Sequence, residues 1–331
     1  MPSGPFSTPA GDPALETAVR SGLTAVEALL HETVKSDFPF ITETSRHLVD
    51  AGGKRFRPLL VLLAAQFGNP EAPGVVPSAV VVELTHLATL YHDDVMDEAD
   101  LRRGAVSANA RWDNTVAILT GDFLFARASD VLADLGPEAV RLQARTFERL
   151  VTGQIRETVG PLEGEDPVKH YLSVLADKTG SLIATSGRFG AMLAGVDASR
   201  TDVLTRFGEC IGIAFQLSDD LLDVLSETSD SGKSPGTDLR EGVPTLPVLL
   251  LRRDPRPEDA RLFDLLDSGL AEDADHGEAL RLLRVHPVMQ EAHDEVVRWA
   301  EQARSVLGPL PDGAAKAALA ALCDQVVGRT A

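Results

Sequence analysis

The chain is short of several things, and each shortage narrows what it can be. It has two cysteines in 331 residues, Cys210 and Cys323, too few for a disulfide framework and suited to a reducing compartment. No window approaches the ~18 uninterrupted apolar residues that a spanning helix needs, so stable membrane insertion is not expected. The start, MPSGPFSTPAGDP, lacks the charged and apolar regions of a signal peptide, and a cytoplasmic protein is expected. Basic residues are outnumbered: 31 Lys and Arg stand against 50 Asp and Glu, for a formal net charge of −19. That field disfavours nucleic acid and anionic lipid headgroups as partners. An anionic substrate would have to be met by local cationic patches or by metal ions. No Gly/Ser/Pro-rich linker divides the middle of the chain, and alternating β-branched runs flanked by hairpin turns are nearly absent.

What is present is helical periodicity. Leu15, Val19, Leu23, Val26 and Leu30 recur at spacings of three and four, one face of a helix. RPLLVLLAAQFG opens with Pro58 near a first turn and stops at GNP. VPSAVVVELTHLATLYHDDVMD is apolar on most sides, which predicts a central, mostly buried helix. Further helices are predicted at about 112–134, 137–159, 167–176, 179–194, 200–226, 243–252, 257–268, 274–284, 287–307 and 312–328. Turn-forming mixtures such as LGPE, VGPLEGEDP, GVDASRTD and SDSGKSPG separate them. The expectation is a flexible tail over residues 1–13, then one all-α domain of about a dozen packed helices over 14–331.

One short motif occurs twice. DDVMD supplies Asp93, Asp94 and Asp97, and DDLLD supplies Asp219, Asp220 and Asp223. In each, the first and last Asp lie four apart and so point the same way off a helix. Like charges at that spacing repel. Each cluster also follows a strongly apolar segment, AVVVELTHLATLYH or ECIGIAFQLS. Such a helix is buried along its length and opens to a polar space at its end. If two such ends face each other, six carboxylates line one mouth and call for cations. Mg2+ suits them, since it takes hard oxygen ligands, keeps waters, and uses a few carboxylates plus phosphate oxygens of a substrate. Basic residues for a second anion stand nearby. AGGKRFRP packs Lys54, Arg55 and Arg57 between two glycines and a helix start, and LRRG adds Arg102 and Arg103 beyond the first acidic cluster.

In order along the chain, GGKRFRP (52–58), HLATLYHDDVMDEADLRRG (86–104), DKTGSL (177–182), FQLSDDLLD (215–223) and GKSPGTDLREG (232–242) resemble the motifs of the trans-type polyprenyl diphosphate synthases. The resemblance implies an all-α isoprenoid-synthase-like bundle around a deep central apolar cavity, working as a homodimer. It implies isopentenyl diphosphate and an allylic diphosphate as substrates, and three Mg2+ ions per active site. Carried over residue by residue, Asp93, Asp97 and Asp219 hold the metal, with Asp94, Asp220 and Asp223 in direct or water-mediated support. Lys54, Arg57, His86 and Arg103 hold isopentenyl diphosphate, while Arg102, Lys178 and Lys233 grip the allylic diphosphate. Thr179 and Gln216 turn oxygens toward the developing cation, and Asp238 belongs to the network around Lys233. Where family members often carry lysine after DLREG, this chain has Val243, which removes one cationic contact.

The implied chemistry is ionisation, condensation and elimination, with product length set by the depth of the cavity. Thr89 and Ala88 stand four and five residues before Asp93, about 6–7.5 Å back along the helix at ~1.5 Å per residue. Both are small, the acidic motif carries no insertion, and Thr85 and Leu84 continue the path. A product of about seven to ten isoprene units is expected, with C20 geranylgeranyl diphosphate as the alternative. Phe123, Phe125 and Phe147 are candidates for a floor on another helix. A class I terpene cyclase is the competing enzyme reading, but the chain is only 5% aromatic, which is little for steering cations. A non-catalytic regulatory subunit is the third reading, and both intact acidic motifs argue against it.

Overall fold

The structure, a computed structural model, describes residues 12–226 and 235–330. In chain order these form α1 (Pro13–Thr33), α2 (Pro39–Asp50), α3 (Phe56–Ala65), α4 (Val75–Met96), the short strands β1 (Leu101–Arg102) and β2 (Ala105–Val106), α5 (Ala108–Trp112), α6 (Asn114–Leu135) and α7 (Pro137–Val159). Then come α8 (Pro167–Leu175), a π-helical turn (Ala176–Gly180), α9 (Ser181–Leu193) and α10 (Ala198–Leu225). The rest is α11 (Thr237–Arg240), α12 (Leu246–Arg253), a 3-10 turn (Pro257–Asp259), α13 (Ala260–Asp267), α14 (Asp273–Arg284), α15 (Val288–Val306) and α16 (Ala314–Gly328). The fold is all-α, as the periodicity predicts. No described helix is long and apolar enough to cross a membrane.

The backbone groups into two compact units, each drawing on several stretches of chain. The first takes the described residues through Glu148, with Ser181–Gly208 and Val306–Leu322. Its centre is α4, which packs against α1, α3, α5, α6 and α9. Val80, Val81, Val82, Leu84, Leu87 and Ala88 expose no surface, which is why the sequence of α4 is apolar nearly all round. Tyr91 on the same helix is equally buried, and its hydroxyl is satisfied twice: it donates to the Thr44 carbonyl at 2.5 Å and accepts from the Leu48 amide at 3.2 Å. These bonds pin α2 to α4.

Three local differences from the sequence expectation have physical causes. Helix α2 was not predicted, because its buried face is Thr44, Ser45, Leu48 and Val49, half of it polar. The helix expected at 112–134 begins earlier and is broken at Asp113, whose φ of 94° ends α5 while its side chain caps α6 at the Val116 amide, 3.1 Å away. Asp12 and Pro13, expected in the tail, start α1 instead: Asp12 accepts from the amides of Ala14 at 2.9 Å and Leu15 at 3.2 Å. The remaining tail residues, 1–11, lie outside the described residues.

The second unit takes Arg149–Gly180, Glu209–Ser305 and the chain from Cys323 onward. Here α8 packs on α12, and α13 on α14. The end of α10, which carries the second acidic motif, is capped by Arg284, whose guanidinium donates to the carbonyls of Val224 and Ser226, both at 2.7 Å. A short helix, α11, forms directly after the turn mixture SDSGKSPG, ahead of the helix expected from 243.

Candidate active site

The first acidic motif closes α4. Asp93 is partly exposed and Asp97 exposed. Asp94, set roughly 100° round the helix from Asp93, is fully buried and accepts a hydrogen bond from Arg102 Nε at 2.5 Å. The chain then turns back as a two-stranded antiparallel hairpin in which Leu101 pairs with Val106 and Arg102 with Ala105. Arg103 and Gly104 form its two-residue loop with φ of 54° and 76°, a type I′ turn. Left-handed backbone costs a bulky residue free energy and persists where the surroundings enforce it. Here the Arg103 guanidinium is held by the carbonyls of Leu48, at 3.1 Å, and Gly52. Gly53 beside it has a φ of 151°, a backbone that side-chain-bearing residues rarely adopt, which favours glycine there.

Arg55 departs from its neighbours. Its backbone is left-handed, with φ of 46°, and its side chain turns inward. It donates to Glu27 of α1, to Glu83 of α4 at 2.8 Å and to the Val49 carbonyl at 3.2 Å. Of the three cations in GGKRFRP, Arg55 is thus committed to the interior, while Lys54 is exposed and Arg57 partly so. His86 lies two helical turns before Asp93. Burial, and then the charges of Arg57, Arg103, Arg102 and Arg55, hold its imidazole well below the usual histidine range, so it is neutral at neutral pH.

That depression makes stability pH-dependent with a definite sign. Below about pH 6.5 the unfolded imidazole takes a proton that the folded one refuses, so His86 costs up to about 1.4 kcal/mol per unit of pH as the pH falls. We expect the thermal midpoint to drop between pH 7.5 and 5.5, and His86→Gln to flatten that part of the curve. An equally steep curve for the variant would show that another group is responsible.

The second acidic motif closes α10. Asp219 and Asp223 are partly exposed, and Asp220 is buried. Asp220 accepts from the Tyr171 hydroxyl on one oxygen and from Gln216 Nε2, at 2.8 Å, on the other. Burial, helped by the charges of Asp219 and Asp223, pushes its carboxyl up to about 6 against the opposing pull of those two hydrogen bonds. Gln216 in turn accepts from Thr179 Oγ1 at 3.1 Å. Asp223 accepts from the amides of Thr237, 3.2 Å, and Asp238, 3.1 Å, which seats the start of α11. Lys178 and Thr179 sit in the π turn, a form frequent at functional sites, and Lys178 pairs with Glu157 of α7. Helix α7 approaches this turn so closely that a Cβ on Gly153 would lie 2.7 Å from the Lys178 amide nitrogen.

The predicted residues therefore fall into two constellations. One gathers Arg57, His86, Arg102 and Arg103 with the first acidic motif, and Lys54 lies in the loop just before α3, which carries Arg57. The other gathers Tyr171, Lys178, Thr179 and Gln216 with Asp219, Asp220, Asp223 and Asp238. In both motifs the middle Asp is turned inward onto a neighbour, so neither stands as an open ligand. Lys233 lies outside the described residues. Val243, at the position where family members often carry lysine, is 37% exposed and its amide is held by the Asp238 carbonyl at 2.9 Å. Leu84, Thr85 and Ala88 are fully buried and Thr89 is partly exposed. Phe125 stands against the His92 ring at 5.8 Å and against Phe147 at 4.5 Å, whereas Phe123 makes no ring contact among the described residues.

Two residues escaped the sequence reading. Arg329, just past α16, forms an ion pair with Asp219 and lies over the Phe215 ring at 5.0 Å. Tyr171 is one of only two tyrosines, and no motif includes it. Among the described residues, no group of three or more His, Cys, Asp or Glu is gathered closely enough to hold an ion alone. Each motif's own donors still fit Mg2+. Asp93 and Asp97 in one, and Asp219 and Asp223 in the other, are hard oxygen donors, and this ion uses one or two carboxylates and completes its shell with water and phosphate oxygens.

Comparison with known proteins decides the class. Residues 38–283 match the profile described as polyprenyl synthetase. The chain belongs to that family. It is 50% identical to the nonaprenyl diphosphate synthase of Mycobacterium tuberculosis, over 96% of both chains. Among solved structures it is similar to a geranylgeranyl pyrophosphate synthase from Corynebacterium glutamicum complexed with calcium and isoprenyl diphosphate. That match has 48% identity, a TM-score of 0.86, and covers 97% of this chain and 98% of the other. It is also similar to a decaprenyl diphosphate synthase from Rhodobacter capsulatus, with 34% identity, a TM-score of 0.86, and coverage of 96% and 99%. This polyprenyl synthetase is accordingly a prenyltransferase with the all-α fold of its relatives, as its motifs imply.

Proposed function

We propose that the protein condenses isopentenyl diphosphate with an allylic diphosphate and elongates the product to a long all-trans polyprenyl diphosphate, about seven to ten isoprene units, in line with its hepta- and nonaprenyl relatives. The observation that carries this reading is the cluster of Arg57, Arg102 and Arg103 around a neutral His86, two turns from Asp93. A chain of net charge −19 has gathered its cations there, next to acids, as a substrate with its own phosphates requires.

In this reading Lys54, Arg57, His86 and Arg103 bind the diphosphate of isopentenyl diphosphate, and Arg102, Lys178 and Lys233 that of the allylic substrate. Asp93, Asp97 and Asp219 would hold Mg2+, with Asp223 and Asp238 ordering the loop beyond. When bound, Mg2+ supplies positive charge that favours loss of the allylic diphosphate. Thr179 and Gln216 face oxygens to the carbon that becomes cationic. Apolar walls, including those behind Ala88 and Thr89, exclude the water that would quench it. The double bond of isopentenyl diphosphate then attacks that carbon to form the new C–C bond, and the resulting cation loses an adjacent proton to the departed diphosphate, which restores a double bond. One all-α catalytic domain in the cytoplasm accounts for this activity. A homodimer is supported by apolar residues left exposed on α6 (Ile118, Leu119) and α7 (Val140, Val151, Ile155, Val159).

The test is a product chromatogram from purified enzyme given both diphosphates and Mg2+. Long polyprenyl diphosphate is the expected result. A C20 product would move the chain to the short class, and a cyclic hydrocarbon or no product would reject the reading. The route of the growing chain has its own test. Ala88→Phe is expected to shorten the main product, and an unchanged length distribution would place the route elsewhere than along this part of α4.

A further inference from the structure

The hydrogen bonds among Tyr171, Asp220, Gln216 and Thr179 run in one direction. Asp220 as a carboxylate can only accept, so both of its neighbours must present hydrogens: the Tyr171 hydroxyl on one oxygen and Gln216 Nε2, at 2.8 Å, on the other. With its nitrogen so placed, Gln216 turns its carbonyl to Thr179, whose hydroxyl donates to it at 3.1 Å. Every hydrogen in the chain points toward Asp220, and the far end is an oxygen of the π turn with lone pairs to offer. Asp220 is only 7% exposed, so solvent does not supply these contacts in place of the side chains.

From this geometry we propose that Tyr171 is a positioning residue for prenyl transfer. By fixing the second oxygen of Asp220 from α8, it locks the carboxylate that orients the Gln216 amide, and so keeps oxygens rather than N–H groups toward the reacting carbon. This rests on the reading above that Gln216 and Thr179 face that carbon. An amide turned the other way would set an N–H dipole against developing positive charge, the reverse of what electrostatic stabilisation requires. Tyr171 itself touches no substrate in this account.

The experiment is a double-mutant cycle on the full chain with Tyr171→Phe, Gln216→Leu and their combination, each checked by thermal midpoint. Tyr171→Phe should lower kcat by about ten- to a hundredfold, the scale of a misplaced reacting group, with KM for both diphosphates within about twofold. The combined variant should be no slower than Gln216→Leu alone, because the two act as one unit. Asp220→Asn keeps all volumes in place and probes the same chain independently: its amide must donate to one neighbour, and kcat should fall comparably. If Gln216→Leu is slow while Tyr171→Phe and Asp220→Asn, folded, turn over like the parent, the positioning role is overturned. It is also overturned if the combined loss is the product of the single losses. If Gln216→Leu itself leaves kcat unchanged, it is the assignment of Gln216 that fails.

Discussion

Asp93→Asn is expected to lower kcat by about two to three orders of magnitude at saturating Mg2+, the cost of losing one key charge at a developing leaving group. The reasoning starts from helix geometry. Asp93 and Asp97 share one side of the end of α4, whereas Asp94 is buried and committed to Arg102. Asparagine keeps the shape of Asp93 and removes its charge, so the fold should survive and the thermal midpoint should stay close to the parent's. Steady-state kinetics with both diphosphates is the measurement. A rate within tenfold of the parent would mean that Asp93 is an ordinary solvated acid at a helix end.

Glu83→Ala is expected to cost about 3–5 kcal/mol of folding free energy, because it leaves a buried guanidinium without its buried partner. Glu83 is 2% exposed and Arg55 9%, and their contact is 2.8 Å. The second partner, Glu27, is 39% exposed, so Glu27→Ala should cost about 1 kcal/mol or less, in the range of surface pairs. Urea titration of the two variants reads the difference directly. Equal losses would show that Arg55 is served by water rather than by Glu83. The loss also bears on the proposed function, since Arg55 holds the carbonyl of Val49 and shapes the loop that carries Lys54 and leads into α3 with Arg57.

Much of this molecule is legible in its residues. The apolar run before DDVMD does form a central helix, and DDLLD does close another. Both follow from 3.6-residue periodicity over long segments, the most dependable signal a sequence carries. What escaped depends on single contacts. The hairpin at Leu101–Val106 has two residues per strand, too few for any alternation to register. The π turn at Ala176–Gly180 falls where the sequence predicts only a gap between helices, since its one extra residue per turn disturbs the helical period. Arg55 resembled its neighbours in charge, and only its left-handed backbone sends it inward. Arg329 and Tyr171 meet their partners from far along the chain, at separations no local pattern reports.

The inward turn of Asp94 and Asp220 has one more consequence. If the helix tips hold Mg2+ as proposed, each would bring two carboxylates rather than three, and at the second tip Asp219 would first have to leave Arg329. Firm retention would then fall to oxygens that arrive with the phosphorylated guest. Ion and guest would be coupled in arrival and in departure.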